Sequence, residues 1–282
     1  MATTCQIGLR LHDAAPGTLA GRAQIAKAQG FTCAHLALSK TLGKEYMAPG
    51  VLTPGLAAQV VDDMNGLDIA VLGCYLNLAT PDEDDYRAVL KKYIAHLRFA
   101  MWARAGVVGT ETGNPNKEYR YDPEKSHTDE ALAFFIERLR PVVRAAETLG
   151  AVLAIEPVFT HIVCDGKRAR RVLDEIDSPN LGIILDPVNL LHESNCQRAD
   201  QVIGEAIDLL HDDVLVVHMK DYVIADDGRL RSVAAGTGRM DFTAVAEFVR
   251  REKPSIQLTL EDTRPDNAEQ ARRFVDDLLS RA

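Results

Sequence analysis

The 282-residue sequence lacks a long apolar run and any closely spaced pair of cysteines. No segment approaches the ~18 consecutive apolar residues that a membrane-spanning helix needs, and the N-terminus has no long apolar segment after a basic start. The five cysteines are odd in number and widely spaced, so neither a disulfide framework nor a thiolate metal site is indicated. These absences predict a protein without membrane contact that works in the reducing cytoplasm.

The sequence also lacks an excess of basic residues. Its 32 Lys and Arg residues against 41 Asp and Glu residues give a formal net charge of -9, which repels the phosphates of nucleic acids. One short basic stretch, GKRARR at 166–171, is better explained as the solvated face of a helix than as a phosphate patch. We therefore expect no nucleic-acid partner.

A Gly-rich phosphate-binding turn is absent as well. The segment after the first predicted strand is LHDAAPGTLAG, which contains no G-x-G-x-x-G motif, so dinucleotide binding is poorly supported. No Ser/Gly-rich linker, composition shift or low-complexity tract divides the chain. The sequence therefore predicts a single domain over residues 1–282.

The sequence does contain a regular alternation of short apolar runs and longer stretches with apolar residues at three-to-four spacing. This alternation is typical of a parallel sheet built from βα units, and eight units in a chain of this length predict an α/β fold, a closed (β/α)8 TIM barrel. Pro141 lies inside the fourth helical pattern and predicts a kink or a break there. The predicted strands span residues 5–12, 32–39, 67–78, 107–112, 151–158, 181–187, 213–220 and 255–262.

Four potential metal ligands end the apolar runs of the second half of the chain. The runs AVLAIEP, LGIILDP, VLVVHMKD and IQLTLED contain Glu156, Asp186, His218 and Glu261. Each of these side chains is costly to bury alone, and the C-terminal ends of barrel strands meet at one mouth, so convergence on a cation would remove that cost. Taken singly, each residue is equally well explained as a helix cap or a surface ion pair. Four at equivalent points of their units predict one divalent metal ion per chain. Three carboxylates and one imidazole favour Mn²⁺, with Mg²⁺, Co²⁺ or Zn²⁺ as alternatives.

Several motifs resemble those of a known family. They are I-E-P at 155–157, L-D-P-V-N at 185–189, H-M-K-D at 218–221, G-T-G-R-M-D-F at 236–242 and L-E-D at 260–262. The resemblance is to the xylose-isomerase-like barrel superfamily, commonly labelled sugar phosphate isomerase/epimerase, with ketose 3-epimerases, inosose dehydratase and endonuclease IV as relatives. It covers nearly the whole chain.

The resemblance implies roles for the four residues. Glu156, Asp186, His218 and Glu261 would bind the metal, and Glu156 and Glu261 would also act as acid and base on opposite faces of the substrate. The implied activity is that of a sugar isomerase or epimerase, which moves a proton next to a carbonyl through a metal-stabilised enediolate. Its partner would be a small sugar or polyol.

Other functions stay open. A lyase could use the same metal site and expel a β-substituent from the enediolate, as in dehydration of a keto-inositol or cleavage of an oxidised glycoside. A non-catalytic sugar-binding barrel is a remote alternative. An apurinic-site endonuclease is disfavoured, because Asn189 stands where a second metal would require histidine and because the net charge is -9. The sequence decides neither the sugar nor whether the chain forms a homo-oligomer.

A second group of residues is predicted to contact substrate. Arg10 and the pair Ser39 and Lys40 also end strands, although interior ion pairs or loop solvation explain them equally well. His35 lies mid-strand and is interpreted as a core histidine with satisfied hydrogen bonds. The segment Gly236 to Gly238 is interpreted as a turn and not as a phosphate site. We therefore do not expect the phosphorylated substrate that the family label names. The predicted substrate contacts are Glu111, His161, Asn189, Lys220, Arg239 and His12.

Overall fold

Eight parallel strands close into a barrel in the computed structural model, which describes residues 5–280. Those strands are β1 (Gln6–Arg10), β2 (Cys33–Leu36), β3 (Asp68–Gly73), β4 (Val107–Glu111), β5 (Leu153–Glu156), β6 (Leu181–Leu185), β7 (Val214–Met219) and β10 (Gln257–Leu260). Around the barrel the order is β1, β10, β7, β6, β5, β4, β3 and β2. The predicted (β/α)8 fold is therefore confirmed, while one domain over residues 1–282 stays a prediction.

Helices follow the barrel strands and form the outer layer. They are α1 (Leu11–Ala14), α2 (Leu19–Ala28), α3 (Leu38–Thr41), α4 (Pro54–Asp63), α5 (Glu83–Ala103), α6 (Pro123–Ser126), α7 (Asp129–Leu149), α8 (Gly166–Ile176), α9 (Ala199–Leu210), α10 (Thr243–Glu252) and α11 (Ala268–Ser280). Short 3-10 turns cover Lys44–Met47, Cys196–Arg198 and His211–Asp213. Among the described residues no helix is long and apolar enough to cross a membrane.

The burial pattern explains why these segments take their places. β5 and β6 are buried along their whole length, because the helical layer covers one face of each strand and the barrel interior the other. Helix α7 instead buries one stripe, as its apolar spacing predicts. The predicted members of that stripe are all buried: Leu132, Phe135, Ile136, Leu139, Val142, Val143 and Ala146.

The helix is not broken at Pro141, and the kink predicted as the other outcome stays a prediction. Helix α7 runs from Asp129 to Leu149 with Pro141 inside it. Proline removes one backbone hydrogen bond, but the neighbouring Leu139 and Val142 are fully buried and hold the turns on both sides against the barrel. Tertiary packing therefore outweighs the local preference of proline.

The strands end earlier than the sequence predicts. Strand β3 stops at Gly73 rather than at residue 78, and β2 stops at Leu36 rather than at residue 39. Strands β8 (Asp221–Ile224) and β9 (Leu230–Val233) form a short antiparallel hairpin, which was not predicted. The sequence feature that indicates this hairpin is the Asp-Gly pair ending at Gly228, whose φ is +78°. Because β2 and β3 end earlier than predicted, His35 and Tyr75 lie at the mouth of the barrel.

Two findings bear on the predictions made from composition. The basic stretch at 166–171 lies in α8, where Arg170 and Arg171 pair with acidic neighbours, including Asp174 and Glu175, on the helix surface. All five cysteines are free thiols.

Candidate active site

The structure brings the four predicted ligands together at the C-terminal mouth of the barrel. Glu156 ends β5, Asp186 follows β6, His218 is the penultimate residue of β7 and Glu261 follows β10. All four side chains are buried. The Nδ1 atom of His218 lies 3.3 Å from Glu261 Oε1, 3.5 Å from Glu156 Oε2 and 3.9 Å from Asp186 Oδ2. The imidazole thus faces three carboxylates.

The donor set fits a divalent cation. Glu156, Asp186 and His218 each offer one ligand atom, and these atoms all lie within 4.8 Å of one another. Both ring nitrogens of His218 are buried and make no hydrogen bond among the described residues. Buried polar atoms without hydrogen bonds cost about 1–3 kcal/mol each. A cation bound to His218 and its carboxylate neighbours would remove part of that cost.

Lys220 lies inside this cluster rather than at its rim. Its Nζ atom is 2.8 Å from Asp186 Oδ2 and 2.9 Å from Glu261 Oε2. Burial alone would lower the pKa of Lys220, but Asp186 and Glu261 outweigh it and raise that pKa above its ordinary value. Lys220 directly follows β7 and is two residues beyond His218, so both side chains point to the same side of the chain and both are buried.

The same charges set the protonation of the ligands. Burial alone would raise the pKa of Glu261, but Lys220, His218 and Arg10 hold it well below its usual range. Burial raises the pKa of Asp186 to about 6, against the opposing effect of Lys220. For His218 burial favours the neutral ring, yet Glu156 and Glu261 outweigh it and raise the pKa to about 9.

Glu156 is held by two uncharged donors. Asn189 Nδ2 donates to Glu156 Oε1 at 2.5 Å, and Tyr75 Oη donates to Glu156 Oε2 at 3.3 Å. The backbone N–H of Asn189 donates in turn to Asp186 Oδ1 at 3.0 Å. Asn189 therefore lies at the ligand cluster, and its contact with substrate stays a prediction. Tyr75 was missed, because its strand was predicted to continue past it.

Glu111 lies beside Glu156 on the neighbouring strand. The two residues are register partners of β4 and β5. Tyr119 Oη donates to Glu111 Oε2 at 3.0 Å, and His161 Nε2 lies 3.8 Å from the same oxygen. Burial and the charge of Glu156 raise the pKa of Glu111 to about 7, while burial lowers the pKa of His161 to about 4. Both predicted substrate contacts thus lie close to the ligand cluster.

Residues at the end of β1 and in the short helices after β1 and β2 form the opposite wall. Arg10 makes contacts of 2.8 Å to Asp13, 2.7 Å to Asp262 and 3.5 Å to Glu261, which agrees with an interior ion pair. His12 and Lys40 line the cavity beside it. Lys40 makes no ion pair among residues 5–280 and is exposed at the rim.

His35 differs from its predicted role. It is buried, with 3% of its surface exposed, but neither ring nitrogen makes a hydrogen bond among the described residues. The prediction of a satisfied core histidine is therefore wrong. The physical reason is the early end of β2 at Leu36, which leaves His35 at the mouth, where it lines the cavity.

These walls enclose a cavity of about 410 Å³, which also receives Ser232 from the β8–β9 hairpin. Its volume is in the range of small-molecule sites.

Arg239 does not line this cavity. Its side chain is exposed, and its backbone N–H donates to Tyr222 O at 3.0 Å. Its predicted substrate contact therefore has no geometric support.

The segment Gly236 to Gly238 is a turn fixed by an internal carboxylate. Asp221 accepts hydrogen bonds from the backbone N–H groups of Gly238 and Met240, both at 2.8 Å. Those donors are the ones a phosphate would use. The interpretation of this segment as a turn agrees with the structure.

Comparison with known proteins gives both a family and a curated relative. The family model described as xylose isomerase-like TIM barrel matches residues 23–278. A 3-oxo-isoapionate decarboxylase of Pectobacterium atrosepticum is 31% identical over 159 residues, which are 54% of this chain and 53% of the decarboxylase. The alignment thus spans about half the length of that relative.

Solved structures share the whole architecture. The apo form of the 3-keto-D-glucoside 4-epimerase YcjR from E. coli has a TM-score of 0.74 and 18% identity, covering 97% of this chain and 98% of its own. The IolI protein, solved with a bound zinc atom, has a TM-score of 0.71 and 16% identity and covers 98% of both chains. At these identities the likeness establishes the fold.

Proposed function

Because the chain belongs to the xylose isomerase-like TIM-barrel family, we propose that it is a divalent-metal-dependent enzyme that isomerises or epimerises a sugar or polyol. The convergence of Glu156, Asp186 and Glu261 on His218 Nδ1 carries this proposal. This cluster opens into a cavity of small-molecule size. The epimerase with the same fold supports the reaction class by analogy.

The four residues would hold one cation per chain. Mn²⁺ is our first choice, because three of the four donors supply carboxylate oxygen, while the zinc bound by IolI keeps Zn²⁺ as an alternative. When bound, a cation of this kind polarises a substrate carbonyl and stabilises the negative charge that develops beside it. The remaining chemistry belongs to the side chains.

Glu156 and Glu261 are proposed as the two proton carriers. Strands β6 and β7 separate β5 from β10 in the barrel, so the two carboxylates reach the cavity from different directions. That arrangement suits removal of a proton from one face of a carbon and its return to the other. The neutral donors Asn189 and Tyr75 orient Glu156, whereas Lys220 and Arg10 fix Glu261 as a charged carboxylate.

The polar residues around the carboxylates would bind the hydroxyl groups of the substrate. Glu111 and His161 lie on the Glu156 side, and His12 lies on the side of β1. Lys220 contacts the metal ligands directly, so its first proposed role is to hold these carboxylates in place, and contact with substrate is its second.

Decarboxylation or another lyase reaction is the second candidate. The decarboxylase relative favours it, and so does Lys40, an exposed cation on the cavity wall that could attract a substrate carboxylate. Loss of carbon dioxide from a 3-oxo acid leaves a carbanion next to a carbonyl, as proton removal does. The same cluster would therefore stabilise both reactions.

Incubation in D2O separates the candidates. Metal-loaded protein would be given ketoses, keto-inositols and 3-oxo sugar acids, followed by NMR. Deuterium at one carbon with formation of an epimer supports the first candidate, and release of carbon dioxide or water supports the second. Glu156→Gln and Glu261→Gln should each abolish exchange, while the exposed control Glu130→Gln should not. Absence of both turnover and bound metal would overturn the proposal.

A further inference from the structure

His35 is a buried histidine whose ring nitrogens have no protein partner. Only 3% of its surface is exposed, and neither Nδ1 nor Nε2 makes a hydrogen bond within residues 5–280. Leaving such groups without hydrogen bonds is energetically costly. The side chain nevertheless faces the cavity that contains the ligand cluster. This combination indicates that a bound group completes its contacts.

The surroundings hold the ring in a defined position. Tyr75 covers one side at a centroid distance of 5.5 Å, and the His218 ring lies 5.4 Å away with an interplanar angle of 20°. Gly73 leaves room at the ring edge, because a Cβ atom there would lie 2.7 Å from His35 Nε2. The backbone of Gly73 does not require glycine through a positive φ. The glycine therefore makes space for the imidazole.

The atoms near His35 are metal donors. His35, His218 and Glu261 each offer one ligand atom, all within 4.8 Å of one another. His218 also belongs to the set formed with Glu156 and Asp186. The two sets therefore meet at one imidazole. A cation held between His218 and Glu261 would have a donor from β2 within reach.

We propose that His35 is a fifth protein donor to the divalent cation, on the β2 side of the site. This inference rests on the proposed function, since it assumes the metal site formed by Glu156, Asp186, His218 and Glu261. Two imidazoles with three carboxylates favour Co²⁺, Zn²⁺ or Mn²⁺ over Mg²⁺, which prefers oxygen donors and retained water. His35 would thus help to select the metal.

Calorimetric titration of Co²⁺ and Mg²⁺ into chelator-treated protein tests the assignment. His35→Phe keeps an aromatic ring in the stack but removes the donor, and His35→Gln serves if the first variant does not fold. We expect Co²⁺ affinity to fall by about tenfold or more, since residues that only orient a metal ligand already contribute 10- to 100-fold. Mg²⁺ affinity should fall less, and the visible spectrum of the bound Co²⁺ should change.

His96→Phe provides the matched control. His96 is also buried with an unpartnered Nε2, but it lies in α5, away from the cavity lining. Its substitution should leave the Co²⁺ spectrum and affinity unchanged.

The outcomes separate the two proposals. If the unsubstituted protein binds no Co²⁺, the metal site fails and His35 loses its role with it. If that protein binds Co²⁺ and both His35 variants bind it equally with an unchanged spectrum, only the His35 assignment is overturned. A raised KM with unchanged metal affinity would also overturn it, because His35 would then contact substrate. Two Co²⁺ ions per chain would refute a shared cation.

Discussion

Substitution of Glu111 by glutamine measures the electrostatic cost of crowding carboxylates at the barrel mouth. Burial and the neighbouring Glu156 raise the pKa of Glu111 from its ordinary value of 4.5 to about 7. A carboxyl group with a raised folded-state pKa contributes stability below its unfolded pKa, and that contribution is lost as the pH rises through the folded pKa. A shift of this size corresponds to about 3 kcal/mol.

Glutamine has the same shape but does not ionise, and Tyr119 can still donate a hydrogen bond to its side-chain oxygen. We therefore expect Glu111→Gln to stabilise the protein by about 3 kcal/mol at pH 8.5 and by little at pH 5. Urea unfolding followed by circular dichroism, with EDTA present, measures this difference. The exposed Glu118→Gln should show no such pH dependence. Equal effects of Glu111→Gln at both pH values, or none at pH 8.5, would refute the reasoning.

Three further substitutions test the supports of the site. Lys220→Met removes the ammonium from Asp186 and Glu261 and should cost about 3–5 kcal/mol in EDTA, with much of the loss in melting temperature restored by saturating Mn²⁺. Tyr93→Phe removes a hydroxyl that donates to Leu76 O at 2.8 Å, so the urea midpoint should fall by an amount equivalent to about 1–3 kcal/mol. Asp221→Asn weakens the bonds to the loop at 236–240, and trypsin should cleave after Arg239 faster than in the unsubstituted protein.

The eight-strand barrel and the meeting of the four ligands could be predicted because burial leaves a clear sequence pattern. Each ligand closes an apolar run, and parallel strands bring their C-terminal ends to one mouth. Glu156 and Glu261 illustrate this, since one ends β5 and the other follows β10. The fold therefore converts equivalent positions in the chain into neighbours in space.

Strand ends carry a weaker signal than strands. The run TCAHLALS continues apolar residues from β2 into α3, so the sequence cannot show that the strand stops at Leu36. His35 consequently looked like a core residue. Tyr75 was hidden in the same way behind the predicted strand 67–78, although the structure places its hydroxyl on Glu156. Local polarity could not reveal these contacts, because both partners come from distant parts of the chain.

The charge of the cluster gives Lys220 a reason to be buried. A divalent cation bound by three ionised carboxylates and a neutral His218 would leave one uncompensated negative charge in a buried site. The three carboxylates are those of Glu156, Asp186 and Glu261. Lys220 contacts two of those carboxylates and supplies the balancing positive charge. Its ammonium is then committed to the ligands, so a substrate carboxylate would have to find its counter-charge at Lys40 on the rim. A neutral sugar needs no such partner, and dependence of turnover on Lys40 would therefore favour a sugar acid as the substrate.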